Sequence, residues 1–532
     1  MNKNTLLFIV LSLAVIVVWN FSLNPTPPQN QDKAKQESAA AAENTSAQGQ
    51  QETSASQNNA PAQNLKTQAP QSQLPVFAEE LVEINTDKYK ALLTNKGAAV
   101  NSWIIKDGKG KEIDLIVSKN SPAISNFPSV NYKVISKEPQ KAVFEFISPD
   151  GWKITKTYSF SKDSYMHNLS IKVERLKAGA VLPKIDIVWG PGIATDERNS
   201  DENLSLTRVG AFTAGKGGKY KVLKNESEGA ASFSWAAIDN RYFLAAFIPK
   251  DINDFSQIKS YREDKKHYYL MTIEGIQPQE NKEIVLDFYV GPKGYTYLQT
   301  YNIKLEETVD FGFFGILGRT AFKVLSFFHS ATNNYGWAII ILTIIIQILI
   351  LPLTLKSYKS MAAMKRIQPM IKTIQDRYKN DKQRLQVEMM NVYKSQKVNP
   401  LGGCLPMLCQ LPIFWAFFTM LRNAFELRGA QWILWVNDLS AADSFLTISG
   451  FTIHLLPLIM GAGMFFQQKM TSAASDPTQR KMMYILPIVF TFMFWSFPAG
   501  LVLYWLTNSI VSMIEQYIVL RRDAVRVTTI KR

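Results

Sequence analysis

Residues 337–360 read "WAIIILTIIIQILILPLTLKSYKS", a run of isoleucine and leucine with no charge before Lys356. Such a segment of about twenty apolar residues is long enough to cross a bilayer at ~1.5 Å per residue, and it has no stable place on a solvated surface. Four more apolar segments follow, at about 403–421, 449–467, 482–497 and 499–519, and another lies at the N-terminus within "MNKNTLLFIVLSLAVIVVWNFSLNP". Six membrane spans are therefore expected. The mean hydropathy of −0.07 conceals them, because everything between the first span and residue 305 is polar or mixed.

Charge orients the spans. The net charge of +15 lies entirely in Lys3, residues 356–400, 468–481 and 520–532, the remainder summing to zero. A basic chain can bind nucleic acid. Positive charge confined to short loops beside apolar spans instead follows the positive-inside rule, so no direct nucleic-acid partner is expected. The N- and C-termini are then cytoplasmic, and residues of about 24–335 lie outside. The first 23 residues read as an uncleaved signal anchor, since Trp19, Asn20 and Phe21 occupy the place where a small-residue cleavage site would stand; cleavage is the alternative. Residues 24–73, rich in Gln, Ala, Ser, Asn and Pro, cannot bury enough apolar surface to form a core and are expected to be a disordered tether. Cys404 and Cys409 are the two cysteines of the chain, five residues apart in an apolar segment, and read as small core residues rather than ligands. No metal or cofactor is expected.

Between 74 and 304 the pattern becomes short alternating runs. "KAVFEFIS" (141–148), "WKITKTYSF" (152–160), "HNLSIKVERL" (167–176) and "EIVLDFYVG" (283–291) alternate apolar with polar residues between Gly, Pro and Asn/Asp clusters. That is the pattern of half-buried antiparallel strands, and its extent predicts a large all-β sandwich. Residues 305–335 follow as an interfacial helix, with Phe314, Leu317, Ala321, Leu325 and Phe328 on one stripe and Arg319 and Lys323 off it. The fold class expected is a multi-span α-helical membrane protein with an all-β extracytoplasmic domain.

Polar residues within the spans carry the chemistry. An unpartnered amide in hydrocarbon costs roughly 4–8 kcal/mol, so Gln347, near the middle of its span, needs a reason to be there. Thr343 lies one turn before it on the same face. In the last span Tyr504, Asn508 and Ser512 recur every four residues, with Trp505, Ser509 and Glu515 beside them. Such residues either glue helices together or line a wet cavity. Two polar faces on two spans favour a cavity. The fifth span is short: sixteen residues reach about 24 Å, against a hydrocarbon core of about 30 Å.

The cytoplasmic stretch 356–400 places Tyr358, Met361, Met364, Ile367, Ile371, Ile374 and Tyr378 at helical spacing, then Leu385, Met389 and Val392. It reads as an antiparallel helical hairpin, with Asn380 as the cap of its second helix and Gln383 completing a capping box. Its basic face includes Lys365 and Arg366. A methionine-rich face suits a surface that meets varied partners.

At "QKVNPLGGCLPMLCQLPIFWAFF" (396–418) and "FPAGLVLYWLTNSIVSMIEQ" (497–516) the chain closely resembles the YidC membrane-protein insertase family, and the resemblance extends over the whole chain. It implies a five-helix insertase core over 336–520 around a hydrophilic groove, a β-supersandwich over 74–304 and a basic tail over 521–532, in the bacterial inner membrane. It implies insertion and chaperoning of nascent membrane proteins without nucleotide hydrolysis, alone or beside the Sec translocon, with the ribosome and signal recognition machinery as further partners. By the same resemblance Thr343, Gln347, Tyr504 and Trp505 line the groove, while Leu411, Pro412 and Met493 contact substrate from an apolar flank. Gln347 stands where family members typically carry an arginine, and Trp505 where they carry a second tyrosine. The rival readings are a secondary transporter or channel, opposed by the lack of an inverted repeat, and an anchored carbohydrate-active enzyme using His167 and His267, which have no paired motif nearby.

Overall fold

A computed structural model describes residues 78–106, 112–118, 123–124, 127, 130–195, 206–213, 218–223, 233–263, 268–399, 405–448, 450–471 and 477–530. The expected anchor over 1–23, the tether over 24–73, His267 and Cys404 lie outside the described residues.

The alternating runs form strands because a pleated chain sends successive side chains to opposite faces. Strands Lys141–Ile147, Trp152–Ser159, Met166–Arg175 and Lys282–Pro292 match the predicted segments to within a residue or two. In Trp152–Ser159 the burial alternates strictly, with Trp152, Ile154, Lys156 and Tyr158 inward. Together with Lys133–Glu138, Phe243–Pro249, Trp235–Asp239, Arg208–Phe212 and Tyr220–Val222 they make a nine-stranded antiparallel sheet among the described residues. The central pairing sets Leu286 opposite Leu169 and Phe288 opposite His167. A four-stranded meander over Leu81–Asn85, Tyr89–Thr94, Ala99–Lys106 and Glu112–Asp114 and a three-stranded sheet of Phe255–Glu263, Tyr268–Gly275 and Ile187–Trp189 share one apolar core with it. The domain is the expected β-sandwich.

One inward position is not apolar. Lys156 is fully buried, and its Nζ donates to the carbonyls of Ala98 at 2.7 Å and Ile124 at 2.8 Å. Burial pushes its pKa well below the usual lysine value, and its three-donor head ties the meander to the large sheet.

The helical part begins with α1 (Gly315–Thr332). Its buried face is Gly318, Ala321, Phe322 and Leu325, whereas Leu317 is 48% exposed. The predicted stripe is thus rotated by about one position. The cause is Gly318, which has no side chain and lets the helix approach Phe311 and the Ala416 carbonyl. Phe313, Ile316 and Phe327 then form a second, outward apolar face.

Helix α2 (Tyr335–Arg377) runs 43 residues without interruption, so the expected boundary at 356 is not a break in structure. Asn334 caps it by accepting from the Gly336 and Trp337 N–H groups. Among the described residues it is the one helix that is by itself long and apolar enough to cross a membrane. It turns into α3 (Lys382–Ser395), the second arm of the expected hairpin. The cap of α3 is Asp381, accepting from the Arg384 N–H at 3.0 Å, rather than Asn380; the helix starts one residue later than expected, and Gln383 completes no capping box. Helices α4 (Leu405–Asn423), α5 (Leu455–Thr471), α6 (Pro477–Met493) and α7 (Ala499–Ile530) complete the bundle. The fourth apolar segment, expected from 449, becomes helical only at Leu455, because Leu446–Ile448 and Phe451–Ile453 pair as a hairpin. Alternation over "FLTISGFTI" carried that strand signal inside an apolar run. Helix α7 continues to Ile530, through the expected tail boundary at 520.

Candidate functional site

Helices α2 and α7 run parallel and in register. Gly500 lies against the Ile339 side chain, and Thr354 Oγ1 donates to Glu515 Oε2 at 3.3 Å; both contacts join residues 161 apart. The same offset sets Thr343 level with Tyr504 and Gln347 level with Asn508. Lower down, the Tyr358 hydroxyl donates to the Ser512 carbonyl at 3.4 Å.

The polar residues on these two helices are removed from the surface of the bundle. Thr343 is 1% exposed and Gln347 3%, while Thr354, Ser357, Tyr504, Ser509, Ser512 and Gln516 are also buried. Thr343 satisfies its hydroxyl by donating back to the Ile339 carbonyl at 2.7 Å, the usual solution for a hydroxyl inside a helix. Gln347 has more to satisfy, because an amide carries two donors and an acceptor.

The third contributor is α4. Gln410 Nε2 donates to the Tyr504 hydroxyl at 2.7 Å and to Asn508 Oδ1 at 3.3 Å. This knot joins α4 to α7 at the level of Gln347. The Tyr504 ring also stacks on Phe417, with centroids 4.7 Å apart.

Trp505 leaves this polar set. A step of one residue turns the side chain about 100° around a helix, and the indole packs among Phe414, Phe490 and Phe494 at centroid distances of 5.1–5.7 Å. Tyr504 and Trp505 therefore serve different sides of α7, one polar and one aromatic. On the flank, Leu411 is 37% exposed, while Pro412 and Met493 are half-buried. Helix α6 and the 3-10 turn that follows it contribute a short apolar stretch, Tyr484–Ser496. Gly461 of α5 lies so close to Thr491 of α6 that any larger residue would collide.

Where α7 begins, the bundle is tied by backbone. The Ala499 and Gly500 N–H groups, at the start of α7, donate to the carbonyls of Ala441 and Leu439 at 2.7 and 2.9 Å. The β domain meets the bundle here. Glu426 Oε1 accepts from the Thr296 N–H at 3.2 Å, and burial raises its pKa above the usual carboxylate range. The Asn423 side chain donates to the Asp310 carbonyl at 2.8 Å, and Arg319 pairs with Glu307 through two 2.9 Å bonds.

In the hairpin, Ile367, Ile371 and Val398 form a small buried core against Met364, Met389, Val392 and Tyr393. Met364 is thus occupied within the hairpin itself, whereas Met370 and Met390 are the exposed methionines. Met361 is half-buried and Arg366 exposed, and Lys365 donates to the Met470 carbonyl at the end of α5.

Two stretches match known families. Residues 81–324 match the YidC periplasmic domain and residues 327–526 the 60Kd inner membrane protein family. A membrane protein insertase YidC from Endomicrobium trichonymphae is 53% identical over 99% of both chains. This chain belongs to the YidC family. A second relative of the same description, from Syntrophus aciditrophicus, is 34% identical over 97% of this chain and 99% of its own. A crystal structure described as an active YidC insertase overlaps 83% of this chain and 93% of its own at 18% identity and a TM-score of 0.41, too loose a likeness to carry an argument.

Gln410, Thr354, Ser357 and Gln516 of this YidC-family chain also belong to the polar set, although nothing in the expected site included them. Gln410 carries the same signal that singled out Gln347, an amide inside an apolar segment, but the prolines and cysteines around it drew attention instead. The enzyme reading loses its first histidine: His167 is enclosed by the rings of Tyr89, Trp103, Phe160 and Phe288, a set with no carboxylate to pair it for acid/base work.

Proposed function

We propose that this chain inserts transmembrane segments of nascent membrane proteins into the bacterial inner membrane and assists their folding, as an insertase rather than an enzyme. The observation that carries the reading is the amide and hydroxyl level inside the bundle at which Gln347 and Tyr504 are buried and Gln410 and Asn508 half-buried. A charged residue at mid-bilayer costs roughly 2.5–3.5 kcal/mol on the insertion scale. A polar segment crossing at this level finds Thr343, Gln347, Asn508 and Ser512 as hydrogen-bond partners. Trp505, Leu411, Pro412 and Met493 form the apolar side along which a substrate helix leaves for lipid. Burial of that helix drives the step, and the chain has no G-x-x-x-x-G-K-[ST] sequence for nucleotide.

The topology that fits is six spans, with the anchor 1–23 first, both termini cytoplasmic and residues of about 24–335 periplasmic. The domains are those of the sequence reading: tether 24–73, β-supersandwich 74–304, interfacial segment 305–335, core 336–520 with the hairpin at 356–400, and tail 521–532. Short α5 and α6, at ~1.5 Å per residue, reach about 25 Å or less, so the bilayer beside them thins or flanking residues snorkel. Nascent chains are the substrate; the Sec translocon, the ribosome and the signal recognition machinery are the partners this role calls on. The hairpin, through Met361, Met364, Lys365 and Arg366, meets them on the cytoplasmic side.

The decisive experiment is photocrosslinking to a ribosome-stalled nascent chain from probes at Gln347 and Trp505. Adducts at both sites are expected. Absence of adducts at both, with efficient adducts from lipid-facing Ile348, would overturn the pathway. Deleting 360–395 should impair insertion while the spans stay folded.

A further inference from the structure

The hairpin of Leu446–Ile448 and Phe451–Ile453 takes no part in the proposed insertion step. Its pairing sets Leu446 opposite Ile453 and Ile448 opposite Phe451, so these four apolar residues share one face. Thr447 and Thr452 share the other, with their hydroxyls 3.1 Å apart. Leu446, Ile448 and Phe451 are 46%, 56% and 63% exposed. An isolated two-stranded hairpin is marginal in water, and one that turns its apolar face outward is worse.

The base of this hairpin is nonetheless fixed firmly. Asp443 Oδ2 accepts from the Trp435 indole at 2.9 Å and from the Leu456 N–H at 3.0 Å, and the Asp443 carbonyl meets His454 Nδ1. Phe451 packs beside Trp495, and Trp435 beside Phe445. Next to Trp435, Leu434 is held at φ +54° and is 80% exposed. A leucine in the left-handed region is strained, and here the strain presents an apolar side chain outward.

We propose that this hairpin is a lipid-binding foot, seating Leu446, Ile448, Phe451 and Ile453 in the outer-leaflet interface of the bilayer. Three observations select lipid as the occupant. Between Asp443 and Lys469 the sequence carries no charged residue. The apolar face runs directly into α5, whose Leu458 and Ile459 are outward facing at 42% and 40% exposure. Trp495, against which Phe451 rests, is the residue type that settles at the membrane–water boundary. A foot at this position holds the outer ends of α5 and α6 at a fixed depth, which matters for helices shorter than the hydrocarbon core.

The inference rests on the proposed reading of α5 as a membrane span, and the test separates the two. Cys404 and Cys409 are replaced by alanine in the full chain, and Ile448→Cys, Phe451→Cys, Thr447→Cys and Ile459→Cys are introduced singly. Each variant is labelled with an environment-sensitive fluorophore in phosphatidylethanolamine–phosphatidylglycerol vesicles. Labels at 448 and 451 should be quenched at least twofold more strongly by lipids spin-labelled near the headgroup than by lipids labelled deep in the chain. They should also be at least threefold less accessible to aqueous iodide than the label at 447. Iodide access equal to that at 447, without lipid quenching, overturns the foot. So does disulfide capture between two copies of the unlabelled Ile448→Cys variant, which would assign the face to a dimer. If the label at 459 is reached by lipid quenchers while 448 and 451 are not, only the foot fails. If 459 also escapes them, the span reading fails with it.

Discussion

Gln410 of α4 donates its side-chain amide to the Tyr504 hydroxyl of α7 at 2.7 Å, and the hydroxyl is almost wholly buried. The two changes that break this bond differ in what they leave behind. Tyr504→Phe removes the hydroxyl and leaves Gln410 its second partner, Asn508, for a loss of about 0.5–1.5 kcal/mol. Gln410→Leu strands the buried hydroxyl, at about 1–3 kcal/mol. Gln410→Leu should therefore lower the melting temperature in detergent more than Tyr504→Phe, and the double variant should recover part of the loss. If Gln410→Leu alone proves neutral, water already serves the Tyr504 hydroxyl.

Gln347 is the residue on which the solvating role of the core depends. Gln347→Leu keeps the packing volume and removes the amide. Insertion of substrates with polar translocated tails should fall by about fivefold, the equivalent of one hydrogen bond of about 1 kcal/mol. Substrates with wholly apolar tails should be almost unaffected in a reconstituted insertion assay. Equal losses on both classes would make Gln347 a packing residue. Gln347→Arg should favour acidic tails over neutral ones, since it adds the charge this chain lacks.

The strands were legible because a pleat has one period and a half-buried sheet one apolar side, so "KAVFEFIS" could hardly be anything else. The helices were less so. In α1, apolar residues face both the protein and the outside, and hydrophobicity alone cannot say which stripe packs against Phe311 and α4; Gly318, which contributes nothing to an apolar count, decides it. The hairpin before α5 was hidden because an apolar alternating strand and the start of an apolar span differ only in period over a few residues. At the candidate site, Gln347 and Tyr504 stood out as polar residues in apolar segments. Their common level followed only from the parallel register of α2 and α7, a long-range relationship that no local pattern encodes.

Asp239 lies at the end of the β domain nearest the bundle, fully buried between two cations. Lys293 Nζ donates to its Oδ2 at 2.7 Å, Arg208 Nε lies at 3.1 Å, and the Tyr220 hydroxyl donates to its Oδ1 at 2.9 Å. Burial brings Lys293 down to about 8, with the carboxylate opposing that fall. Arg208 also reaches the Thr308 carbonyl and Asp310, on the segment leading into α1. Asp239→Ala leaves the buried Lys293 without its anion and Arg208 with Asp310 alone, a change worth about 3–5 kcal/mol. The variant should show the β domain unfolding at lower urea, read by tryptophan fluorescence. Arg208→Ala, which leaves the Lys293–Asp239 pair intact, should cost less.

His167 gives the β domain an acid-sensitive term of defined sign. Its Nδ1 accepts from the Ser161 N–H at 3.2 Å, so the neutral ring carries its proton on Nε2, which has no partner among the described residues. A second proton would have to displace the Ser161 bond and charge a ring enclosed by aromatic side chains; burial accordingly lowers the pKa to about 3. The unfolded chain, with an ordinary histidine pKa near 6.5, binds the proton first as pH falls. Stability from this group is therefore complete above about pH 6.5 and declines toward pH 3, by roughly 1.4 kcal/mol per unit. Between pH 7.5 and pH 5 the loss amounts to about 2 kcal/mol. His167→Phe, which suits the cluster of Tyr89, Trp103, Phe160 and Phe288, should flatten that part of the urea-midpoint profile. Burial depresses the Lys156 pKa as well, but that contribution is common to both curves, so the difference between them isolates His167. An unchanged slope in the variant would mean that the ring is protonated in the folded domain.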